Sequence, residues 1–155
     1  AQDAVIAQNE SQRRVMWERR ESAAEITLGI AGSIETDIAV PLDNVPTFLE
    51  QVSSRVKEID PNGEELYISH LGDGNLHYTF YPTDTSGLLK EPITEAIEDV
   101  VLALNGSFSA EHGIGLSKKS SMARRKDPIA LEMMSAIKTA FDPKNLMNPG
   151  KVYPD

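Results

Sequence analysis

Three histidines are the whole imidazole content of this 155-residue chain, and they fall in two short glycine-punctuated stretches. His70 and His77 bracket Gly72, Asp73, Gly74 and Asn75 in HLGDGNLH, while His112 follows Glu111 in SAEHGIG. Two runs of strand character, ELYISHLG and NLHYTFYP, flank the first turn, so the spacing predicts a hairpin. Cross-strand neighbours approach to about 5 Å between Cβ atoms, and a turn over 72–75 sets His70 opposite His77 with both side chains on one face. A histidine in a strand is ordinarily a satisfied structural residue. Two converging imidazoles, however, repel each other once protonated, whereas a divalent cation holds both neutral.

Glu111 supplies a third donor. Successive strand residues point to opposite faces, so Glu111 and His112 reach one site only where the strand ends or bulges. Gly113 and Gly115 permit that distortion. His70, His77 and Glu111 then make a two-histidine, one-carboxylate set of the kind used by catalytic zinc with an open position for substrate. Manganese or iron would tolerate the same donors. His112 is left as the free imidazole beside the cation. With no cysteine in the chain, any metal must use histidine and carboxylate ligands.

The elements that must position these residues follow from periodicity. Residues 3–24 read as a polar helix with Val15, Met16 and Trp17 as its apolar cluster and Glu10 paired with Arg14. Its Arg13, Arg14 and Arg19 read as a solvated face; Arg20 differs in sharing a face with Trp17. In SIETDIAVP, Ile34, Thr36 and Ile38 alternate with Glu35 and Asp37 like a strand, which Pro41 ends. DNVPTFLEQVSSRVKEI is a helix capped by Asp43 or Asn44, with Val45, Leu49, Val52, Val56 and Ile59 on its inner face.

EPITEAIEDVVLALNG is a second amphipathic helix, buried through Ile93, Ile97, Val100, Val101 and Leu104 and ended by Gly106. GSFSAEHGIG reads as a short strand running into a glycine loop, and DPIALEMMSAIKTAFDP as a last helix started by Asp127 and Pro128. The expected class is one α+β domain, an antiparallel or mixed sheet packed with helices.

Composition closes off several functions. A net charge of −9 and a pI near 4.8 disfavour nucleic-acid and anionic-membrane partners. No apolar run approaches the roughly 20 residues needed to span a bilayer. The absence of cysteine and of a secretory pattern makes the cytoplasm the default location. Gly72-x-Gly74 lacks the third glycine of a dinucleotide fingerprint and precedes a strand. The opening AQDAVIAQNE, without an initiator Met, looks like the middle of a helix in a longer protein.

HLGDGNLH, GSFSAEHGIG and FDPKNLMNPGKVYP together resemble the C-terminal part of FAD-linked 2-hydroxyacid dehydrogenases and oxidases, the family of the D-2-hydroxyglutarate and D-lactate dehydrogenases and the glycolate oxidase flavin subunit. WERRE and ETDIAVPLDNVP resemble substrate-domain segments of the same family, in the expected order. The resemblance covers about residue 15 to the end. It implies that residues 1–155 are part of a substrate (cap) domain plus the C-terminal tail, with an FAD-binding domain elsewhere holding most of the flavin. It implies His70, His77 and Glu111 as ligands of a divalent metal, zinc or manganese, and His112 as the catalytic base. It further implies Arg20 as the partner of a substrate carboxylate, and Asn75 and Asn148 as cofactor contacts.

Three positions depart from the D-2-hydroxyglutarate enzymes: Ala24 stands for an expected Thr, Glu35 for a Lys, and Thr79 for an Asn. Losing a cation and gaining an anion at a dicarboxylate's distal end favours a small 2-hydroxy monocarboxylate such as lactate or glycolate. The competing readings are a stand-alone metal-dependent hydrolase or lyase, and a truncated non-catalytic module, with a homodimer formed through an exposed sheet edge.

Overall fold

A computed structural model describes residues 5–22, 30–70 and 72–154. Three antiparallel strands, β1 (Ile34–Ala39), β2 (Glu64–His70) and β3 (Asn75–Tyr81), form a sheet in the order β1-β3-β2. The sheet is thus purely antiparallel, and with its helices the class is α+β as expected.

Alternation along β3 divides the sheet into two chemically different faces. Leu76, Tyr78 and Phe80 are fully buried beside Ile34 and Ile38 of β1. Against them pack α2 (Val45–Ile59) and α3 (Lys90–Ala103) through Phe48, Val52, Val56, Ile93, Ile97 and Val101. Phe48, outside the predicted inner stripe, is fully buried and meets Tyr78 edge to face at 6.1 Å. The opposite face carries Asn75, His77 and Thr79, which the pairing sets beside Glu35 and Asp37 of β1 and Leu66, Ile68 and His70 of β2.

Several local expectations are corrected. The first helix, α1, runs Glu10–Glu21 rather than from residue 3: Asn9 is extended and its side chain accepts from the Gln12 N–H, which starts the helix there. Residues 23 and 24 lie outside the described residues. Glu10 pairs with Arg13, and Arg14 with Glu18, instead of Glu10 with Arg14. Neither Asp43 nor Asn44 caps α2 by its side chain. Asp43 lies in a short 3-10 turn, Leu42–Asn44, and the Asn44 amide donates to the Leu104 carbonyl.

After α3 it is Asn105, at φ 59°, that takes the left-handed turn. Gly106 answers a different need, because a Cβ there would sit 2.4 Å from the Ala39 carbonyl oxygen. That close approach lets Ser107 form one antiparallel bridge with Ala39 in place of the predicted strand.

The chain then loops into a helix not foreseen from sequence, α4 (Lys119–Arg125), and into α5 (Pro128–Phe141). Two arginines staple α4 onto α3. Arg125 reaches buried Glu98 at 3.1 Å and Asp99 at 2.7 Å, while Arg124 reaches Glu91 at 2.9 Å. α5 starts as predicted, with the Asp127 carboxylate accepting from the Ala130 N–H.

Candidate functional site

The hairpin brings His70 and His77 to the same sheet face, although not opposite one another. His70 pairs with Asn75, and His77 with Ile68 on one side and Asp37 on the other. The imidazoles are therefore diagonal neighbours, with ring centres 5.4 Å apart and planes nearly perpendicular. The register comes from the turn. The Asp73 N–H donates to the His70 carbonyl, the Asp73 carboxylate accepts from the Asn75 N–H, and Gly74 adopts φ +76° with its carbonyl bound to the Val40 N–H.

Glu111 and His112 arrive on the loop after Ser107. Glu111 extends over the two hairpin histidines, its Oε1 lying 3.0 Å from His77 Nε2, 3.8 Å from His70 Nε2 and 3.6 Å from His112 Nε2. His112 stacks on His77 with ring centres 5.1 Å apart. All four residues that sequence singled out for chemistry thus converge. Donor atoms of Asp37, His77, Glu111 and His112 lie within 4.8 Å of one another; His70 stands outside that group, 3.8 Å from the Glu111 oxygen.

Donors at about 2.0–2.2 Å around a tetrahedral ion stand roughly 3.3–3.6 Å apart, and the Glu111 oxygen lies 3.0–3.8 Å from the three imidazole nitrogens.

Asp37 is the residue that sequence reasoning missed as part of the site. It is buried, and its Oδ2 accepts from the His112 N–H at 2.8 Å, the Glu111 N–H at 3.1 Å and the Lys118 ammonium at 3.2 Å. Its Oδ1 accepts from the Asn75 amide at 3.3 Å. Burial pushes the carboxyl pKa upward. The His112 N–H, Lys118 and the Glu111 N–H outweigh that effect and hold it below the ordinary carboxylate range. The available signal was the position itself, a carboxylate inside a short strand next to core Ile38.

A cleft of about 690 Å³ opens over this face. Its walls include the three histidines together with Arg20, Glu35, Ile68, Thr79, Ile114 and Lys118. Arg20 and, from β1, Glu35 both line this cleft. Asn75 is buried, its Oδ1 without a donor among the described residues. Asn148 is exposed on the C-terminal tail at φ 46°. Ala24 lies outside the described residues.

The profile of the family described as FAD linked oxidases, C-terminal domain, matches residues 1–152. The chain belongs to this family. Among relatives of this FAD linked oxidase domain, the D-2-hydroxyglutarate dehydrogenase of Stutzerimonas stutzeri is 34% identical, the match covering 97% of the chain and 33% of that protein. The "Probable D-lactate dehydrogenase, mitochondrial" of Danio rerio is 33% identical, over 97% of the chain and 31% of that protein. The domain thus spans about a third of the length of these curated relatives. No helix among its described residues is long and apolar enough to cross a membrane.

Proposed function

We propose that this chain is the substrate- and metal-binding portion of an FAD-dependent dehydrogenase that oxidises a D-2-hydroxy acid to the 2-oxo acid. The observation that carries the reading is the convergence of three imidazole Nε2 atoms on one Glu111 oxygen within 3.8 Å. His70, His77 and Glu111 would hold a divalent cation, zinc or manganese. Such an ion, when bound, supplies a Lewis acid that lowers the pKa of a substrate hydroxyl. His112, beside the trio and more exposed than His77, would take that hydroxyl proton as general base. Arg20 offers its planar fork to the substrate carboxylate. A flavin, when bound, would supply the acceptor for a hydride from the substrate Cα.

For the substrate, we favour a lactate- or glycolate-like monocarboxylate. Glu35 lines the cleft and sits directly across the ladder from Thr79, so a second carboxylate held against this β1 wall would meet an anion. A flavin-binding domain would come from outside this chain. Ile129, Met133, Ile137 and Phe141 form an exposed stripe along α5, continued by Leu146 and Met147, and this supports a docking face for such a domain. Exposed Asn148 beside that stripe is compatible with a cofactor contact; buried Asn75 would serve the cofactor only through its neighbours. We keep the cytoplasm as the proposed compartment.

The test uses the full reading frame with its upstream extension. D-lactate should be oxidised with a higher kcat/KM than D-2-hydroxyglutarate, and Glu35→Lys should move the ratio toward the dicarboxylate. Faster turnover of D-2-hydroxyglutarate by the unaltered enzyme would overturn the substrate assignment. Metal-dependent hydrolysis without flavin would overturn the reaction class.

A further inference from the structure

Two consecutive residues, Glu111 and His112, both serve one site, which neither a strand nor a helix allows without help. We infer that Asp37 is the positioning residue that makes this possible. Its buried carboxylate acts as an internal anion in a nest formed by the two residues' own backbone N–H groups. This inference rests on the metal-site reading above for its consequence, but its geometry stands independently.

The Asp37 Oδ2 accepts from both N–H groups, at 3.1 and 2.8 Å. Successive N–H groups turned inward onto an anion fix the backbone between them, and here that backbone is the Glu111–His112 peptide. The same strand also holds the approach to the loop, since the Ala110 N–H donates to the Asp37 carbonyl at 3.1 Å. Lys118 compensates the buried charge and ties the far end of the loop to its start, bonding Asp37 Oδ2 at 3.2 Å and Ser109 Oγ at 2.9 Å.

Asp37 could be taken for a metal ligand, since its carboxylate lies within 4.8 Å of the donors of His77, Glu111 and His112. Its hydrogen bonds argue otherwise. Oδ2 already accepts from three donors and Oδ1 from the Asn75 amide. A cation there would have to displace charge-assisted bonds that Glu111 Oε1 does not make. Asp37 therefore acts on the site through its neighbours.

The experiment has a metal arm and a backbone arm. Mn²⁺ is titrated into the chain and its Asp37→Ala and Asp37→Asn variants, at a temperature where each is folded by circular dichroism. Loss of an outer-sphere partner ordinarily lowers metal affinity about 10–100-fold. Asp37→Ala should fall in that range, and Asp37→Asn, which keeps one acceptor for the nest, should recover most of the loss. Wild-type affinity in folded Asp37→Ala would overturn the proposal, because a merely structural carboxylate would leave binding by the folded fraction unchanged.

Amide hydrogen exchange on the unaltered chain gives the second readout and requires no variant to fold. The Glu111 and His112 amides should be protected although they lie in a loop, and exchange at the rate of a free loop would equally overturn it. Failure of the unaltered chain to bind Mn²⁺, with those amides protected, would sink the metal reading while leaving Asp37's role in place.

Discussion

Gly72 and Gly74 stand two residues apart in one turn, yet the structure assigns them opposite sensitivities. Gly74 has φ +76°, and a Cβ there would lie 2.1 Å from the Val40 carbonyl oxygen. Placing alanine in the left-handed region costs roughly 1–2 kcal/mol. An ordinary carbon–oxygen contact is about 3.3 Å or more, so the backbones must also part by roughly 1.2 Å, against the Val40 N–H to Gly74 carbonyl bond at 3.1 Å. Overpacking of that kind costs about 1–3 kcal/mol. Gly74→Ala should therefore lose about 2–5 kcal/mol.

At roughly 2–4 °C per kcal/mol for a chain of this size, the melting temperature should fall by roughly 4–20 °C. Gly72 has no left-handed φ and open space where a Cβ would go. Gly72→Ala should stay within about 0.5 kcal/mol of wild type. Paired urea titrations of the two variants measure both values, and Mn²⁺ titration should show weaker binding in Gly74→Ala alone, because the turn sets the spacing of His70 and His77. Equal destabilisation by the two substitutions would refute the account of how this turn is held.

His77→Ala should abolish measurable Mn²⁺ or Zn²⁺ binding by calorimetry, since His77 is nearest to Glu111 and lies between the other two imidazoles; unchanged binding would move the ion elsewhere. Arg125→Ala should cost roughly 3 kcal/mol in denaturant unfolding, the low end for breaking a buried pair, because Arg124 still stands 3.7 Å from Glu98. Acid should unfold the chain through Asp142 and Asp37. Lys138 and the N–H groups of Leu146 and Met147 hold the Asp142 pKa down to about 2, whereas an unfolded aspartate titrates near ~3.9. Between those values the unfolded chain binds more protons, so stability is full above pH ~4 and falls as pH drops toward 2. Asp142→Asn should flatten that dependence in acid-denaturation curves.

Helices announced by long apolar periodicity were legible in the sequence. α2 and α3 follow their Val, Ile and Leu spacing, and α5 the Asp127 and Pro128 at its start. What periodicity could not show depends on partners distant in sequence. Phe48 is buried because Tyr78 of the central strand meets it. α4 shows no apolar stripe of its own and is held to α3 by Arg124 and Arg125, whose partners Glu91, Glu98 and Asp99 precede them by some 26–33 positions. The strand expected at GSFSAEHGIG shrinks to one bridge because the loop's next hydrogen bonds go to the Asp37 backbone and side chain instead of a strand ladder.

At the site, residue chemistry was easier to read than residue placement. Histidines are rare enough here that their types and spacing singled out residues that the fold brings together. The hairpin parity then put His70 and His77 on one face even though their predicted register was off by a diagonal step. Parity could not explain how Glu111 and His112 share a destination, because that depends on Asp37, which lies 74 positions before Glu111. Strand alternation read Asp37 merely as the polar half of a pattern. In the fold it faces the same side as His77, its direct partner across the ladder, and is covered by the loop it organises. The carboxylate is thus buried on the functional face. A buried strand acid followed directly by a core residue therefore calls for backbone donors from another segment.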